Sequence, residues 1–362
     1  MSNMINKNLL KKLCLAFGPS GNEDEVREII TNEIKDFADE YYTDKVGNLI
    51  AFKKGKKTPE KKRLFAAHMD EVGFMITSVG DDGCLKFKTL GGIENQVIFG
   101  KQATVGEKRF PAVFGGKPVH LIKKEDKEKV KSLDDIYLDT GAVKKEKDEK
   151  KKKKNAGSGI PDAPPDESKP VEVGEFAVFN SDFVEFGQNK IKSKAIDDRF
   201  GCYILIEMIK SKLLYDSYFA FTICEEIGLR GAKTAANVVQ PDAAVIFEAT
   251  TAGDIYDKKE KNKVCSLGQG AVISIMDYSS IYNKNLTNLA LETANKNNIK
   301  AQVKQAVAGG NDSGAVQKSG KGVEVLAISL PTRYIHSPSC VADFGDMQEC
   351  LRLALEIEKE IK

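Results

Sequence analysis

Helical and strand-like signals alternate at both ends of this chain and stop alternating in its middle, and that interruption limits the folds open to it. Near the start, "SGNEDEVREIITNEIKDF" sets Val26, Ile29, Ile30, Ile34 and Phe37 on one helical stripe. Ser20 followed by Glu23 has the form of a capping box for that helix. Short apolar runs at 49–52 and 64–67 then read as strands. From about residue 73 to 180 the chain holds "GFMITSVGDDGCLKFKTLGGI", "QVIFGKQATV" and "FPAVFGG", short strands broken by Gly and Asp-Gly turns. That texture predicts a small β-barrel or sandwich.

After 181 the alternation returns. "RFGCYILIEMI" reads as a helix, "SYFAFTIC" as a strand, 230–238 as a helix and "AAVIFE" as a strand. "AVISIM", the polar helix "NLTNLALETANKNN", the strand "VEVLAISL" and a final helix "MQECLRLALEIEKEI" follow. At 362 residues the chain is long for one core. The simplest architecture is one discontinuous α/β domain, 1–72 with 181–362, interrupted by a β-barrel-like insert at 73–180. Within the insert, roughly 144–169 is rich in Lys, Gly, Pro and Ser and reads as a flexible surface loop.

That loop distorts the overall charge. "KKEKDEKKKKK" (144–154) contributes +5, so the net +2 leaves about −3 for the remainder, no footprint for nucleic-acid binding. No stretch reaches the ~18 apolar residues of a membrane span. The opening "MSNMINKNLLKKLCLAFGPSG" is too interrupted by lysine to read as a signal peptide. Seven cysteines without CxxC spacing argue for a reducing compartment, so a cytoplasmic location is expected.

The residues capable of chemistry stand at the ends of the apolar runs. "RLFAAH-M-D" ends in His68 and Asp70, "SYFAFTIC-EE" in Glu225 and Glu226, and "AAVIF-E" in Glu248. "KAI-DD-R" brings Asp197 and Asp198 before a helix, and His336 follows "VEVLAISL" in "TRYIHSP". Ligands of α/β sheets gather at the carboxyl edge of the strands, where these side chains could converge. Taken singly, each has an ordinary reading: a satisfied core histidine, surface charge, a helix cap. Together they suit a divalent ion such as zinc, cobalt or manganese, because buried charges are costly unless paired or metal-bound. Asp70, sharing a strand face with His68, is placed to orient that ring. Adjacent Glu225 and Glu226 point apart, so one could bind metal while the other stays free as a general base. Either Asp197 or Asp198 could bridge two ions. His120, in "GKPVHLI", has no nearby carboxylate and reads as structural. There is no HExxH, GxSxG, GxxxxGK[ST] or strand–helix GxGxxG pattern.

In order along the chain, HMDEVGF, AIDDRFG, CEEIGLRGAK, IFEATTAGD and PTRYIHSP resemble the M42 family of dinuclear metallo-aminopeptidases, within the clan of co-catalytic zinc exopeptidases. "FGPSGNEDEVREII" and "IYLDTGA" are similar to that family too. The resemblance implies a three-layer mixed-sheet catalytic domain with an inserted barrel used for dimerisation. It implies two divalent ions, zinc first and cobalt or manganese next: His68 and Glu248 on one, Glu226 and His336 on the other, Asp197 bridging. Asp70 would orient His68, Glu225 would be the general base, and the Asp197–Asp198 peptide would be cis. The implied activity is two-metal, water-dependent removal of the N-terminal residue from short peptides, by dimers assembled into dodecamers. Many members carry Asp where this chain has Glu248. The alternatives are hydrolysis of another substrate, acylated peptides before glycosides, or a non-catalytic metal-binding assembly protein. A glycosidase would leave the histidines without a role.

Overall fold

Four of these apolar runs lie side by side as parallel strands in the order Ser217–Thr222, Arg63–His68, Ala243–Thr251 and Glu324–Thr332. They are the centre of an eight-stranded mixed sheet. Leu49–Lys53 and Glu40–Thr43 extend one side antiparallel, and Ala271–Ile273 with Ala301–Val303 extend the other. The computed structural model describes residues 5–80, 82–118, 120, 130, 132–141, 171–255 and 263–362. The loop expected at 144–169 lies outside the described residues.

Side chains alternate across a strand, so each central strand feeds two apolar layers. Phe65, Ala67, Phe219, Phe221, Val245 and Phe247 pack on one side with the helices Lys7–Leu15, Asp24–Ile34, Ile196–Lys210, Lys284–Lys296 and Phe344–Glu360. Leu64, Ala66, Ala220, Ala244 and Ile246 face the other side, against Ala232, Ala235, Ala236 and Val239 of the helix Arg230–Val239. Helices on both faces make a three-layer α/β unit, as the sequence pattern and the family resemblance led us to expect. Ile196–Lys210 is apolar nearly all round because it is buried nearly all round. No helix among the described residues is long and apolar enough to cross a membrane.

Contacts divide the chain into two units: Met1–Gly73 with Leu90–Ile93 and Phe179–Lys362, and Phe74–Thr89 with Glu94–Val178. In the second unit, strands from Gly73–Val79 to Phe176–Phe179 form a closed barrel, resolving the barrel-or-sandwich alternative. Phe74, Phe87 and Phe114 fill it, their ring centroids 4.7 to 5.2 Å apart. His120 is exposed rather than packed, contrary to its structural reading.

Two local expectations change. The helix Asp24–Ile34 buries Val26, Ile29, Ile30 and Ile34, but it ends before Phe37, which is 44% exposed. Glu23 caps it without a side-chain bond, so the capping box does not form; Ser20 and Glu23 are used elsewhere.

At the amino end of the central strands, Arg63 is fully buried. Its guanidinium donates to the Tyr215 and Ile361 carbonyls and to Ser217 Oγ, each at 2.8 Å, and pairs with buried Glu358. Removing one partner of a buried pair strands the other charge. Arg63→Ala is expected to cost about 3–5 kcal/mol, read as a lowered urea midpoint with an unchanged m-value.

Candidate metal centre

Parallel pairing puts the carboxyl ends of the central strands in line, with Thr222 opposite His68 and Glu248 opposite Ser329. His68 is the last residue of its strand, and Glu225 and Glu226 come just after theirs. Glu248 is not at a strand end: its strand runs on to Thr251, paired there with Glu324–Thr332. His336, at a positive φ of 60°, comes four residues beyond Glu324–Thr332. Asp197 and Asp198 interrupt the first turn of Ile196–Lys210 with non-helical backbone, and the peptide between them is cis.

Asp197 connects the two histidines. Its Oδ1 is 3.2 Å from His68 Nε2 and its Oδ2 is 3.4 Å from His336 Nε2. Glu248 Oε1 lies 3.3 Å from His68 Nε2, and Glu226 Oε2 lies 3.3 Å from His336 Nε2. Two donor groups overlap at Asp197: His68, Asp197 and Glu248, and Asp197, Glu226 and His336, the donor atoms of each within 4.8 Å of one another. His68, Glu225 and Glu226 form a third group of the same size.

The other nitrogen of each ring is also fixed. His68 Nδ1 faces the Asp70 carbonyl oxygen at 3.0 Å and its Oδ1 at 3.3 Å, so the backbone of Asp70 makes the closer contact. His336 Nδ1 faces the Gly92 carbonyl at 2.8 Å. Gly92 was not singled out in the sequence, because a carbonyl leaves no side-chain signature.

Asp70 itself accepts from three sides. Ser20 Oγ donates at 2.6 Å, and the Glu225 and Glu226 amides donate at 3.0 and 3.2 Å. Glu23 Oε1 accepts from the Gly21 amide at 2.8 Å and the Cys224 amide at 3.2 Å. The pair read as a capping box therefore holds the acidic turn in place. Asp198 accepts from the His68 and Gly201 amides, so of the two aspartates it is Asp197 that faces both rings.

Asp312, within the Gly-rich "AGGNDSGA", was missed. It is buried, accepts from Thr222 Oγ1 at 2.6 Å, and leaves Oδ1 without a hydrogen-bond partner. Its only sequence signal is an acid inside a small-residue loop.

The electrostatics test whether this cluster fits a metal. Burial, against the pull of His336, pushes Glu226 up to about 8. Burial reinforced by neighbouring carboxylates takes Glu225, Glu248 and Asp198 well above the usual range. Burial also pulls on His336, but Asp197 and Glu226 overcome it and raise the ring to about 9. Asp197 is driven the other way: burial would raise it, yet the His336 and His68 contacts hold it low. Buried Glu248 Oε2 has no hydrogen-bond partner at all. These oxygens and imidazoles are the donor types that hard-to-borderline divalent ions take.

The cluster opens into a cavity of about 420 Å³, within the usual range for a small-ligand pocket. Thr250, Thr251 and the 308–311 loop line it beside Glu225, Glu226 and Glu248.

Comparison with known proteins points the same way. A family model described as M42 glutamyl aminopeptidase matches residues 47–353. The lysyl aminopeptidase of Pyrococcus furiosus is 31% identical over 368 residues, covering 99% of this chain and 98% of that protein. The crystal structure of a TET aminopeptidase from a marine sediment archaeon, Thaumarchaeota archaeon SCGC AB-539-E09, matches with a TM-score of 0.88 at 32% identity, over 98% of this chain and 96% of that one. The TET1 peptidase of Pyrococcus horikoshii, which can assemble into a tetrahedron or a large octahedral shell, matches with a TM-score of 0.78 at 33% identity, over 97% of this chain and 98% of that one.

A cluster with this much uncompensated buried charge is expected to be stabilised by a cation. Adding zinc, cobalt or manganese to chelator-treated protein at about 100 times its Kd should contribute about 2.7 kcal/mol, read by calorimetry as a raised Tm.

Proposed function

Because the chain belongs to the M42 family and is a hydrolase of the aminopeptidase class, we propose that it removes N-terminal residues from short peptides at a dinuclear centre built on Asp197. The observation that carries this reading is the position of Asp197, with one carboxylate oxygen toward His68 and the other toward His336. His68 and Glu248 would hold one ion, Glu226 and His336 the other, and Asp197 would bridge them. The ions, zinc first with cobalt or manganese as substitutes, would supply Lewis-acid polarisation and lower the pKa of the attacking water.

The rest of the work falls to the chain's own groups. Glu225 is the general base: it takes the proton as water attacks the scissile carbonyl and returns it to the leaving amine. Burial raises that carboxyl above the ordinary glutamate range, which makes it a stronger base. Asp70 holds the His68 ring and the backbone of both glutamates, so base and ligands share one anchor. The acidic lining of the cavity favours the end of a peptide that carries a free α-amine, which makes the cut exopeptidic.

Residues 1–72 with 181–362 form the catalytic domain in this reading, and 73–180 the dimerisation insert. Like the horikoshii TET1 peptidase, the chain would form a closed homo-oligomer, dimers building a dodecamer. Its seven cysteines are all free, which fits a cytoplasmic location.

Glu225→Gln tests the base. It should keep both ions by elemental analysis and lose about 10²- to 10⁴-fold in kcat on aminoacyl p-nitroanilides. Near-normal turnover would remove Glu225 from that role. Asp197→Asn should lose metal, and two ions per chain in that variant would refute the bridge. Native mass spectrometry should show a multiple of the dimer; a monomer would overturn the assembly.

A further inference from the structure

The donors of the cluster are not held with equal firmness. His68 and Glu248 stand in central strands, Asp197 lies in the first turn of a buried helix, and the Glu226 amide is anchored on Asp70. His336 instead stands on a loop between Glu324–Thr332 and Cys340–Asp343. Its side chain is 31% exposed, against 1% for His68. Tyr334 and His336 both have positive φ, 55° and 60°. Residues other than glycine keep that conformation only where their surroundings impose it.

What imposes it is found at the base of the loop. The backbones of Arg333 and Val341 exchange hydrogen bonds, 2.9 Å each way, and close the turn. The Arg333 guanidinium then reaches across to Asp254, Nε donating to Oδ1 at 2.7 Å and Nη2 to Oδ2 at 2.8 Å. Asp254 follows the end of Ala243–Thr251, the strand that carries Glu248, and its Oδ2 also accepts from the Leu267 amide at 3.0 Å. Both side chains are largely withdrawn from water. The other fasteners of the loop are neutral: Ser337 Oγ donates to the Tyr334 carbonyl and Ser181 Oγ to the Pro338 carbonyl, each at 2.6 Å. Arg333 is the only Lys or Arg in 333–339. A two-point, charge-assisted contact fixes direction as well as distance, which a single hydrogen bond does not.

We infer that the Arg333–Asp254 pair positions His336 and thereby sets the ion affinity of the Glu226–His336 half of the centre separately from the His68–Glu248 half. Neither residue is among the donor groups, so both act through the backbone of the loop. The inference rests on the dinuclear reading above.

The test titrates cobalt(II) by calorimetry into the chelator-treated full chain and counts ions per chain by elemental analysis. His336→Ala identifies which binding step belongs to the His336 half. Asp254→Asn and Arg333→Met should weaken that step by about 10- to 100-fold, as expected for groups that orient a ligand, and leave the other step within about twofold. The double variant should cost no more than the worse single, because the two residues make one contact. Arg333→Lys keeps the charge and loses the fork, so it should fall between wild type and Arg333→Met. Arg63→Ala, destabilised at the opposite end of the central strands, should bind both ions as wild type does.

An unchanged His336 step in the single variants, or two steps weakened alike, would overturn the inference and leave the dinuclear reading standing. Loss of the same step in Arg63→Ala would also refute it, since general stability would then be the cause. Costs that add in the double variant would mean two separate effects and no pair. Should Asp254→Asn fail to fold, Arg333→Lys decides, and a His336 step equal to that of wild type would sink the inference. Fewer than two ions in wild type would instead remove the dinuclear reading, and this inference with it.

Discussion

Asp197 between two imidazoles is the contact around which the first unit is arranged. A carboxylate and two rings at the floor of a buried sheet edge cost several kcal/mol in lost hydration unless each is matched. Three further carboxylates, Glu225, Glu226 and Glu248, are brought to the same place by two different chain segments. The apolar faces of the central strands fix the register, and the register carries the charged ends together whether or not those ends attract one another.

A frame of buried polar contacts keeps these ends from relaxing apart. Asp70 gathers Ser20, the His68 ring and two amides of the acidic turn. One residue later, Glu71 accepts from Lys194 at 2.6 Å and from Arg199 at 3.2 Å, and all three are buried. Arg199 also donates to the carbonyls of Leu13, Gly18 and Met69, fastening the first helix and the loop after His68 to the helix that carries Asp197. Groups held this way lose little freedom when a ligand arrives, which is what preorganisation requires.

Most of the fold was legible because its signals are local. The runs at 64–67, 218–221 and 243–247 are apolar throughout, as strands covered on both faces must be, and the helices declared themselves by stripe. His68, Asp197, Glu226, Glu248 and His336 stood out because acids and histidines directly after apolar runs are conspicuous. What escaped was relational. Gly92 contributes a carbonyl, which any residue has. Ser20 and Glu23 match a helix-start pattern in spacing, and only the fold shows that their oxygens turn toward Asp70 and the Cys224 amide.

The sheet order has a consequence for how such a protein is made. The strand ending in His68 is flanked by Ser217–Thr222 and Ala243–Thr251, and the edge near His336 closes only when Glu324–Thr332 pairs with the latter. The strand Arg63–His68 therefore waits for neighbours that begin about 150 residues later in the chain, at Ser217, and Ala243–Thr251 waits in turn for Glu324–Thr332. A ribosome-bound chain displays the early acids and His68 in an unfinished, solvated sheet edge with no His336 to oppose them. The donor set is thus completed only after His336 has been made, an order set by topology rather than by local sequence.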